Sequence, residues 1–255
     1  MRRMHTGGLG RRNTRFPIER VLKLNRSRST GRVTGEGEAA VFSISLAGEG
    51  AAALGREDAG ETAEWYVKNL PLTVRLPGSV QAQGLGDEVT AQTRWVSSLH
   101  DPYWYMRSEY RRYAVGPEVK VPFLLQPKKH YVGVAWFARE IEIPAAWTGR
   151  RVALYLERPH WQTTVWLDGR PQGTRDSLSV AHVYDFGAVT PGRHRLAVRV
   201  DNRNILHIRP DAHTVTDGMG GAWNGIAGRI ELRSTSPVWL DDVQVYPDIA
   251  TGVAR

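Results

Sequence analysis

Hydrophobic and polar residues alternate along several short stretches of the chain, with apolar side chains at every second position. Val152, Leu154 and Leu156 form one face of such a stretch, and the residues between them form the other. Successive side chains of a β-strand point to opposite faces, so this period predicts strands with one buried face. Stretches of this kind cover residues 135–143, 151–157, 163–169, 194–201, 228–233 and 238–246.

Turn residues separate these predicted strands. Asp168-Gly169 is a typical hairpin turn, and Pro191-Gly192 marks a second turn. No helical pattern of ten or more residues lies between the strands. Short strands at even spacing predict an antiparallel sandwich or barrel rather than a parallel α/β sheet. Residues 63–247 contain no internal repeat and no linker, and we expect one domain there.

The region 79–130 differs from the rest in its high content of Gly, Pro and aromatic residues. Its aromatic residues include Trp95, Tyr103, Trp104, Tyr105, Tyr110 and Tyr113. Long irregular segments inside compact domains usually have a function or pack on a neighbouring surface. We expect a long aromatic-rich loop region that is functional or forms a lid over a sheet face.

Composition narrows the class of protein. The 255-residue chain is 41% hydrophobic and 24% charged, which is typical of a globular protein with a sizeable core. No run of about eighteen apolar residues occurs, so we expect no membrane-spanning helix. The chain has no cysteine, which excludes disulfides, thiolate metal sites and cysteine nucleophiles. These features leave the cellular compartment open.

The formal net charge of +8 is concentrated at the start of the chain. Residues 1–34 contain ten Lys and Arg and one acidic residue, whereas the remainder contains 24 basic and 25 acidic residues. We expect residues 1–38 to be a flexible basic leader; a nucleic-acid-binding arm, an organellar transit peptide and a start codon assigned too early are alternatives. No apolar stretch typical of a Sec signal follows the charges. The rest of the chain is nearly neutral, so no nucleic-acid partner is expected.

Common catalytic motifs are missing from the sequence. It has no G-x-S-x-G, no P-loop, no H-E-x-x-H and no G-x-G-x-x-G between a strand and a helix. His207 and His213 lie six residues apart, which is weak support for a zinc site. Asp241 and Asp242 would point to opposite faces of a strand and could not form an acid–base pair. We expect no metal and no cofactor.

The many aromatic and polar residues of the chain favour saccharide binding instead. The chain has nine Trp and nine Tyr, whose rings can stack on sugar faces while polar side chains bind the hydroxyl groups. Trp136, Trp166 and Trp239 occupy predicted strand positions and are expected to pack in the protein. Trp223 differs because it lies in the Gly-rich stretch 218–225, where no periodic core position explains an aromatic residue.

Several motifs occur in a fixed order, at residues 76–80, 131–144, 146–149, 156–158, 165–169, 191–202 and 223–232. In this order they resemble the N-terminal sugar-binding domain of glycoside hydrolase family 2, which includes β-galactosidases, β-glucuronidases and β-mannosidases. The resemblance covers roughly residues 63–248. The ordered set is more specific than any single motif.

The resemblance implies a jelly-roll β-sandwich for residues 39–248. In family 2 enzymes an immunoglobulin-like domain and a TIM barrel follow, and the barrel carries the two glutamates of a retaining mechanism. Neither domain is contained in this sequence, and residues 249–255 are expected to begin the linker to the next one. The resemblance therefore implies a truncated or split glycosidase domain without catalytic residues and without activity alone, whose partners are a saccharide and the missing immunoglobulin-like and TIM-barrel domains. No membrane partner is expected, because no long apolar run occurs.

In the family, a loop before the motif matched at 223–226 reaches the rim of the sugar pocket. The resemblance thus makes His213, Asp217, Trp223 and Asn224 the candidates for touching sugar or orienting the pocket. Asp217 would accept hydrogen bonds from hydroxyl groups, Trp223 would supply a flat face, and Asn224 could do either. For each of them a turn or interface role is the alternative.

Three other functions remain open at this point. A free-standing carbohydrate-binding module would bind an oligosaccharide by itself. A structural interaction domain would expose an apolar patch where the missing domains dock. A nucleic-acid binder is the least supported, because the excess charge is confined to the leader.

Overall fold

The structure, a computed structural model, describes residues 41–95, 101–116, 118–122, 125–205, 223–239, 244–250 and 253–254. Two antiparallel β-sheets account for most of this part and pack face to face, which confirms the prediction of an all-β jelly-roll β-sandwich. The helices that the structure describes are all too short or too polar to cross a membrane.

The first sheet contains β1 (Phe42–Ser45), β4 (Gly78–Ser79), β6 (Arg151–His160), β9 (His182–Ala188) and β11 (Gly225–Thr235). Its strand order is β1-β11-β6-β9, and β4 also pairs with β11. The second sheet contains β2 (Gly48–Gly55), β3 (Leu72–Leu76), β5 (Val134–Ile143), β7 (Gln162–Leu167), β8 (Arg170–Arg175) and β10 (Gly192–Asp201). Its strand order is β3-β2-β5-β10-β7-β8.

Helical segments are short and lie between the strands. They are α1 (Ala59–Thr62), α2 (Arg111–Ala114) and the 3-10 turns Gln81–Gln83, Trp104–Met106 and Ala145–Trp147. Five of the six predicted strands are confirmed, as β5, β6, β7, β10 and β11.

The core lies between the two sheets, as the alternation predicts. Leu154 and Leu156 of β6 are fully buried and face Phe137, Val165 and Val198 of the second sheet in one cluster. Burying a large aliphatic or aromatic side chain contributes about 1.5–3 kcal/mol, so this cluster is the main source of stability.

The Asp168-Gly169 turn is confirmed as the hairpin between β7 and β8. Both residues have left-handed backbone conformations, with φ of 50° for Asp168 and 75° for Gly169. Two consecutive residues of this kind form the turn whose twist matches a β-hairpin. The Asp168 carboxylate also accepts a hydrogen bond from the backbone of Arg195 at 2.8 Å, which fastens the turn to β10.

The outer face of the second sheet is covered by the connection between β2 and β3. Tyr66 stacks on Trp166 with ring centroids 5.4 Å apart, and Trp65 meets Trp136 edge-on at 6.4 Å. Trp136 and Trp166 are buried, which confirms the predicted packing role for both. Trp239, in contrast, lies outside the strands.

The aromatic-rich region 79–130 has a small core of its own. Buried Trp104 packs with Ala91 and Val121. The partly buried residues around them are Val89, Trp95, Tyr105, Tyr110, Tyr113, Ala114 and Val119. The aromatic residues of this region therefore largely pack against one another.

The sandwich belongs to a compact unit that spans Ala40–Ser236. The residues from Pro237 onward belong to a second unit, and in its described part β12 (Pro247–Asp248) pairs with β13 (Val253–Ala254). The predicted strand at 238–246 is wrong for residues 238–239 and 244–246, which are irregular, and residues 240–243 lie outside the described part. Alternation produces a strand only where a neighbouring strand can pair, and the described residues of this segment lie in none of the sheets.

Candidate functional site

Several strands of both sheets begin or end at the same end of the sandwich. In the second sheet, Gly55, Val134, Asp201 and Gln162 are neighbours in adjacent strands. In the first sheet, Ser79, Gly225 and His160 form the corresponding row. The loop segments that enter or leave the strands at these residues lie at the same end of the sandwich. We call it the loop end. Ile205 and Trp223, which flank residues 206–222, belong to these segments.

Three buried amide side chains fix the segment that enters β5. Asn202 accepts a hydrogen bond from the Gly133 backbone at 2.8 Å and donates one to the Tyr131 carbonyl at 2.9 Å. Asn224 donates to the carbonyls of Gly133 and Val200. Buried backbone groups require partners, and these amides supply hydrogen bonds to the backbone of Tyr131 and Gly133, which precede β5.

Gln81 links the same segment to the start of β11. Its side chain donates to the Tyr131 carbonyl at 3.2 Å and accepts a hydrogen bond from the Asn224 backbone at 3.0 Å. Gly225, the next residue, has a φ of 144°, and a Cβ there would lie 2.3 Å from the Gly78 carbonyl oxygen. Only glycine fits this close approach, which explains the glycine at position 225.

Two arginines and two aspartates form an ionic cluster beside these amides. Arg199 donates to both carboxylate oxygens of Asp58, with an Nε–Oδ1 distance of 2.8 Å. Arg199 Nη2 also donates to Asp201 Oδ2 at 2.9 Å, and Arg203 Nη2 donates to the same oxygen at 2.6 Å. Both partners of the pair between Arg199 and Asp201 are almost fully buried. Opposite charges are balanced here, so the cluster fastens the segment after β2 to the end of β10.

The two aspartates of this cluster are close together but are unsuited to glycoside hydrolysis. Burial alone would raise the pKa of Asp201, but hydrogen bonds from Arg203 and the charges of Arg203 and Arg199 outweigh it and lower that pKa. A general acid requires a raised pKa, and a retaining pair requires room for the sugar between its carboxyl groups. Here the Arg199 guanidinium is hydrogen-bonded to both carboxylates and occupies that space.

Trp223 lies at the loop end and is partly exposed. Its ring stacks on the His160 imidazole, with centroids 4.9 Å apart and planes 24° apart. His160 Nδ1 lies 2.5 Å from the Trp223 carbonyl oxygen, and since a carbonyl only accepts, Nδ1 carries the proton. His160 in turn meets the fully buried Trp161 edge-on at 6.4 Å. Three rings thus lead from the interior to the surface.

An open depression of about 510 Å³ lies at the same end. Arg56, Asp87 and Tyr131 line it together with residues at the end of β2 and just after it. Arg56 forms an ion pair with Asp87 and lies over the Tyr131 ring, 5.4 Å from its centroid. Burial raises the pKa of Tyr131 to about 12, so its hydroxyl stays protonated at neutral pH and donates to the Val134 carbonyl.

The structure brings two of the four predicted site residues to the loop end. Trp223 is partly exposed there, whereas Asn224 is fully buried and binds backbone groups of the protein itself. Its amide therefore donates to groups inside the fold, and its contact with sugar stays a prediction. His213 and Asp217 lie outside the described residues, as do His207, Asp241 and Asp242. Among the described residues, no group of side chains could hold a metal ion.

Sequence reasoning did not single out His160, Gln81 or the ionic cluster. His160 is the last residue of β6 and lies three residues beyond the predicted strand at 151–157, and Gln81 lies in the region 79–130. Arg199 was visible as a charged residue within an apolar strand, on the opposite face from Val198 and Val200. A cation at such a position indicates a partner above the sheet face, but the sequence does not show which residue it is.

No protein-family model matches this sequence. Similar solved structures include a β-glucuronidase from an uncultured Clostridium species, with 15% identity and a TM-score of 0.55, which covers 86% of this chain and 33% of that one. For a β-glucuronidase from Faecalibacterium prausnitzii the identity is 20% and the TM-score 0.52, over 84% and 35% of the two chains. The β-glucuronidase of Ruminococcus gnavus in complex with uronic isofagomine has 12% identity and a TM-score of 0.51, over 80% of this chain and 30% of that one.

The fold is one that β-glucuronidases contain. The matched part is the N-terminal portion of those enzymes, and this chain spans about a third of their length. The resemblance to an N-terminal domain of family 2 enzymes is therefore confirmed in its fold. At these identities the similarity establishes the architecture, and function has to be argued from the site.

Proposed function

We propose that this chain is the sugar-binding domain of a family 2 glycoside hydrolase and forms one wall of a saccharide site whose catalytic acids lie on another domain. The observation that carries the proposal is the shared fold with the N-terminal portion of β-glucuronidases. The order of the sequence motifs from 76–80 to 223–232 supports it independently.

The chemistry of the loop end supports a binding role rather than a catalytic one. Retaining hydrolysis needs a nucleophile and a general acid about 5–5.5 Å apart on either side of the glycosidic bond. In the described part of the chain, the paired carboxylates Asp58 and Asp201 are neutralised by arginines. The acids would therefore be supplied by a neighbouring TIM barrel, as in family 2 enzymes.

The loop end also has the features of a sugar-binding wall. Trp223 offers an indole, the apolar surface on which a pyranose ring stacks. The Arg56 guanidinium in the depression can donate hydrogen bonds to hydroxyl or carboxylate oxygens, although Asp87 already binds it. In the proposed enzyme this end would face the barrel and complete the rim of its pocket.

The purified chain tests both halves of the proposal. With 4-nitrophenyl β-D-glucuronide or β-D-galactoside, we expect no release of nitrophenol above the rate in buffer. Turnover that a point substitution in this chain abolishes would contradict the claim that the acids lie elsewhere. Isothermal titration calorimetry with the same glycosides should show weak, millimolar binding, and its complete absence would contradict the sugar-binding wall.

Trp223→Ala should abolish that binding. Tyr103→Ala removes an aromatic residue that is 63% exposed and lies in the region 79–130, so it serves as the matched control. Equal losses in the two variants would show that the binding is non-specific aromatic contact rather than recognition at the loop end.

A further inference from the structure

The loop end contains a histidine that the proposed function does not yet use. His160 is the last residue of β6 and only 4% exposed, yet it contacts Trp223 in two ways. Its ring covers one face of the indole, and its Nδ1–H binds the carbonyl oxygen of the same residue. A ring contact and a backbone contact to one residue fix both the position and the tilt of that residue.

The other side of His160 is held by the protein interior. Trp161 is fully buried and meets the imidazole edge-on, with planes 85° apart. His160 is also paired with Gly225 across the two neighbouring strands of the first sheet. The sheet therefore holds the backbone of His160, and its ring contacts both Trp161 and Trp223.

The residue after Trp223 is fixed as well. The Asn224 backbone binds Gln81 through its N–H, and its carbonyl accepts a hydrogen bond from Val80 at 2.9 Å. With Asn224 held at the backbone and His160 beneath the ring, Trp223 has little freedom left. An aromatic residue that is ordered before binding loses less conformational entropy when a ligand arrives.

We infer that His160 is the positioning residue of an aromatic platform, in which one face of the Trp223 indole rests on the imidazole and the other receives the apolar face of a β-linked pyranoside. This inference rests on the proposed function for the identity of the ligand. The positioning role itself depends only on the contacts between His160 and Trp223.

Substitutions at His160 separate the ring contact from the hydrogen bond. His160→Phe keeps a flat ring beneath the indole but removes the Nδ1–H donor, whereas His160→Ala removes both. His194→Gln is the control, because His194 lies near the start of β10, at the opposite end of the sandwich from His160. The unfolding midpoint of each variant shows whether the fold is retained.

The first measurement needs no sugar. In a ¹⁵N-labelled chain, the indole N–H resonance of Trp223 is identified by its loss in Trp223→Phe. We expect His160→Ala to move this resonance toward the position of a solvent-exposed indole or to broaden it, His160→Phe to retain a dispersed resonance, and His194→Gln to leave it unchanged. An unchanged resonance in folded His160→Ala would overturn the positioning role.

The second measurement is the affinity for 4-nitrophenyl β-D-glucuronide. We expect a loss of at least tenfold in His160→Ala, a loss of about threefold in His160→Phe, and no change in His194→Gln. An unchanged affinity in His160→Ala would overturn the platform. If the unsubstituted chain binds no glycoside, the proposed function and the platform's ligand both fail, while the resonance still decides the positioning role.

Discussion

Arg199 and Asp58 are joined by two hydrogen bonds across 141 residues of sequence. The contact fastens the segment that follows β2 over the outer face of the second sheet, where Tyr66 stacks on Trp166. The same arginine also binds Asp201 at the end of β10. One buried guanidinium therefore holds together the covering of the sheet and the loop end.

Arg199→Met should destabilise the chain strongly. The substitution leaves Asp201 buried with only Arg203 as a partner, and breaking a buried ion pair costs about 3 kcal/mol. Urea denaturation followed by tryptophan fluorescence measures the change. Arg229→Met, which removes an exposed pair with Glu157, is the control and should leave the midpoint unchanged. Similar midpoints for the two variants would show that the buried cluster does not hold the fold together.

The pair between His194 and Asp168 should make stability depend on pH near neutrality. Burial alone would lower the pKa of His194, but hydrogen bonds to Asp168 and to the Thr190 carbonyl, with the charge of Asp168, outweigh it and raise that pKa. Both ring nitrogens face acceptors, so only the imidazolium satisfies both. The stabilisation is complete below about pH 6.5, the ordinary value, and is lost as the pH rises through the higher pKa of the folded chain.

NMR titration of the His194 ring protons checks this expectation. Asp168→Asn keeps an amide oxygen for the backbone of Arg195 and tolerates the left-handed conformation of the turn. It removes the negative charge, so the pKa of His194 should fall in this variant. An identical titration curve in Asp168→Asn would show that the carboxylate does not hold the proton on His194.

His182 should have the opposite effect on stability. Burial is the main cause that lowers its pKa, and hydrogen bonding to the Ser177 carbonyl only partly opposes this. Because Nε2 donates to that carbonyl, Nδ1 of the neutral ring accepts a hydrogen bond from the Thr163 hydroxyl at 2.6 Å. The unfolded chain takes up a proton more readily than the folded one, so stability is full above about pH 6.5 and falls as the pH decreases below it.

The free energy of unfolding at pH 5 and pH 7 measures this dependence. His182→Gln has no titrating group at this position, so it should lose less free energy of unfolding between pH 7 and pH 5. The variant itself should be less stable than the unsubstituted chain at both pH values. If His182→Gln lost as much stability between pH 7 and pH 5 as the unsubstituted chain, His182 would not be the group responsible.

Two glycines should respond to alanine in opposite directions. Gly50 in β2 lines a small apolar cavity of about 30 Å³ between the sheets, and a Cβ there would make ordinary contacts at 3.4 Å or more. Gly50→Ala should stabilise the chain by about 0.5–1 kcal/mol, since the unfolded chain loses freedom and the cavity gains a methyl group.

Gly60 provides the matched comparison. A Cβ there would lie 2.3 Å from the Trp136 indole nitrogen, so Gly60→Ala must displace the segment that covers the outer sheet. Overpacking of this kind costs about 2 kcal/mol. Thermal unfolding monitored by circular dichroism should therefore give midpoints on opposite sides of that of the unsubstituted chain. A lower midpoint for Gly50→Ala would show that the cavity cannot accept a methyl group.

The sequence by itself determined five strands of the sandwich, β5, β6, β7, β10 and β11, and their buried faces. The alternation of residues such as Val152, Leu154 and Leu156 has the period of a strand, and a period of two leaves little choice of which side chains enter the core. The turn at Asp168-Gly169 was equally predictable, because few residue pairs adopt two left-handed conformations in succession. Where the alternation at 238–246 has no described partner strand, the same reasoning was wrong.

Only the tertiary structure decided which residues meet at the loop end. His160 and Trp223 are 63 residues apart, and Asp58 and Arg199 are 141 apart, so no local pattern connects them. Asn224 shows the difference most clearly. The resemblance made it a candidate for contact with sugar or for orienting the pocket, and only the structure shows that its amide is buried and donates to two backbone carbonyls. Periodicity reports which face of a strand is buried, whereas the partner of a buried polar group depends on how the strands are arranged.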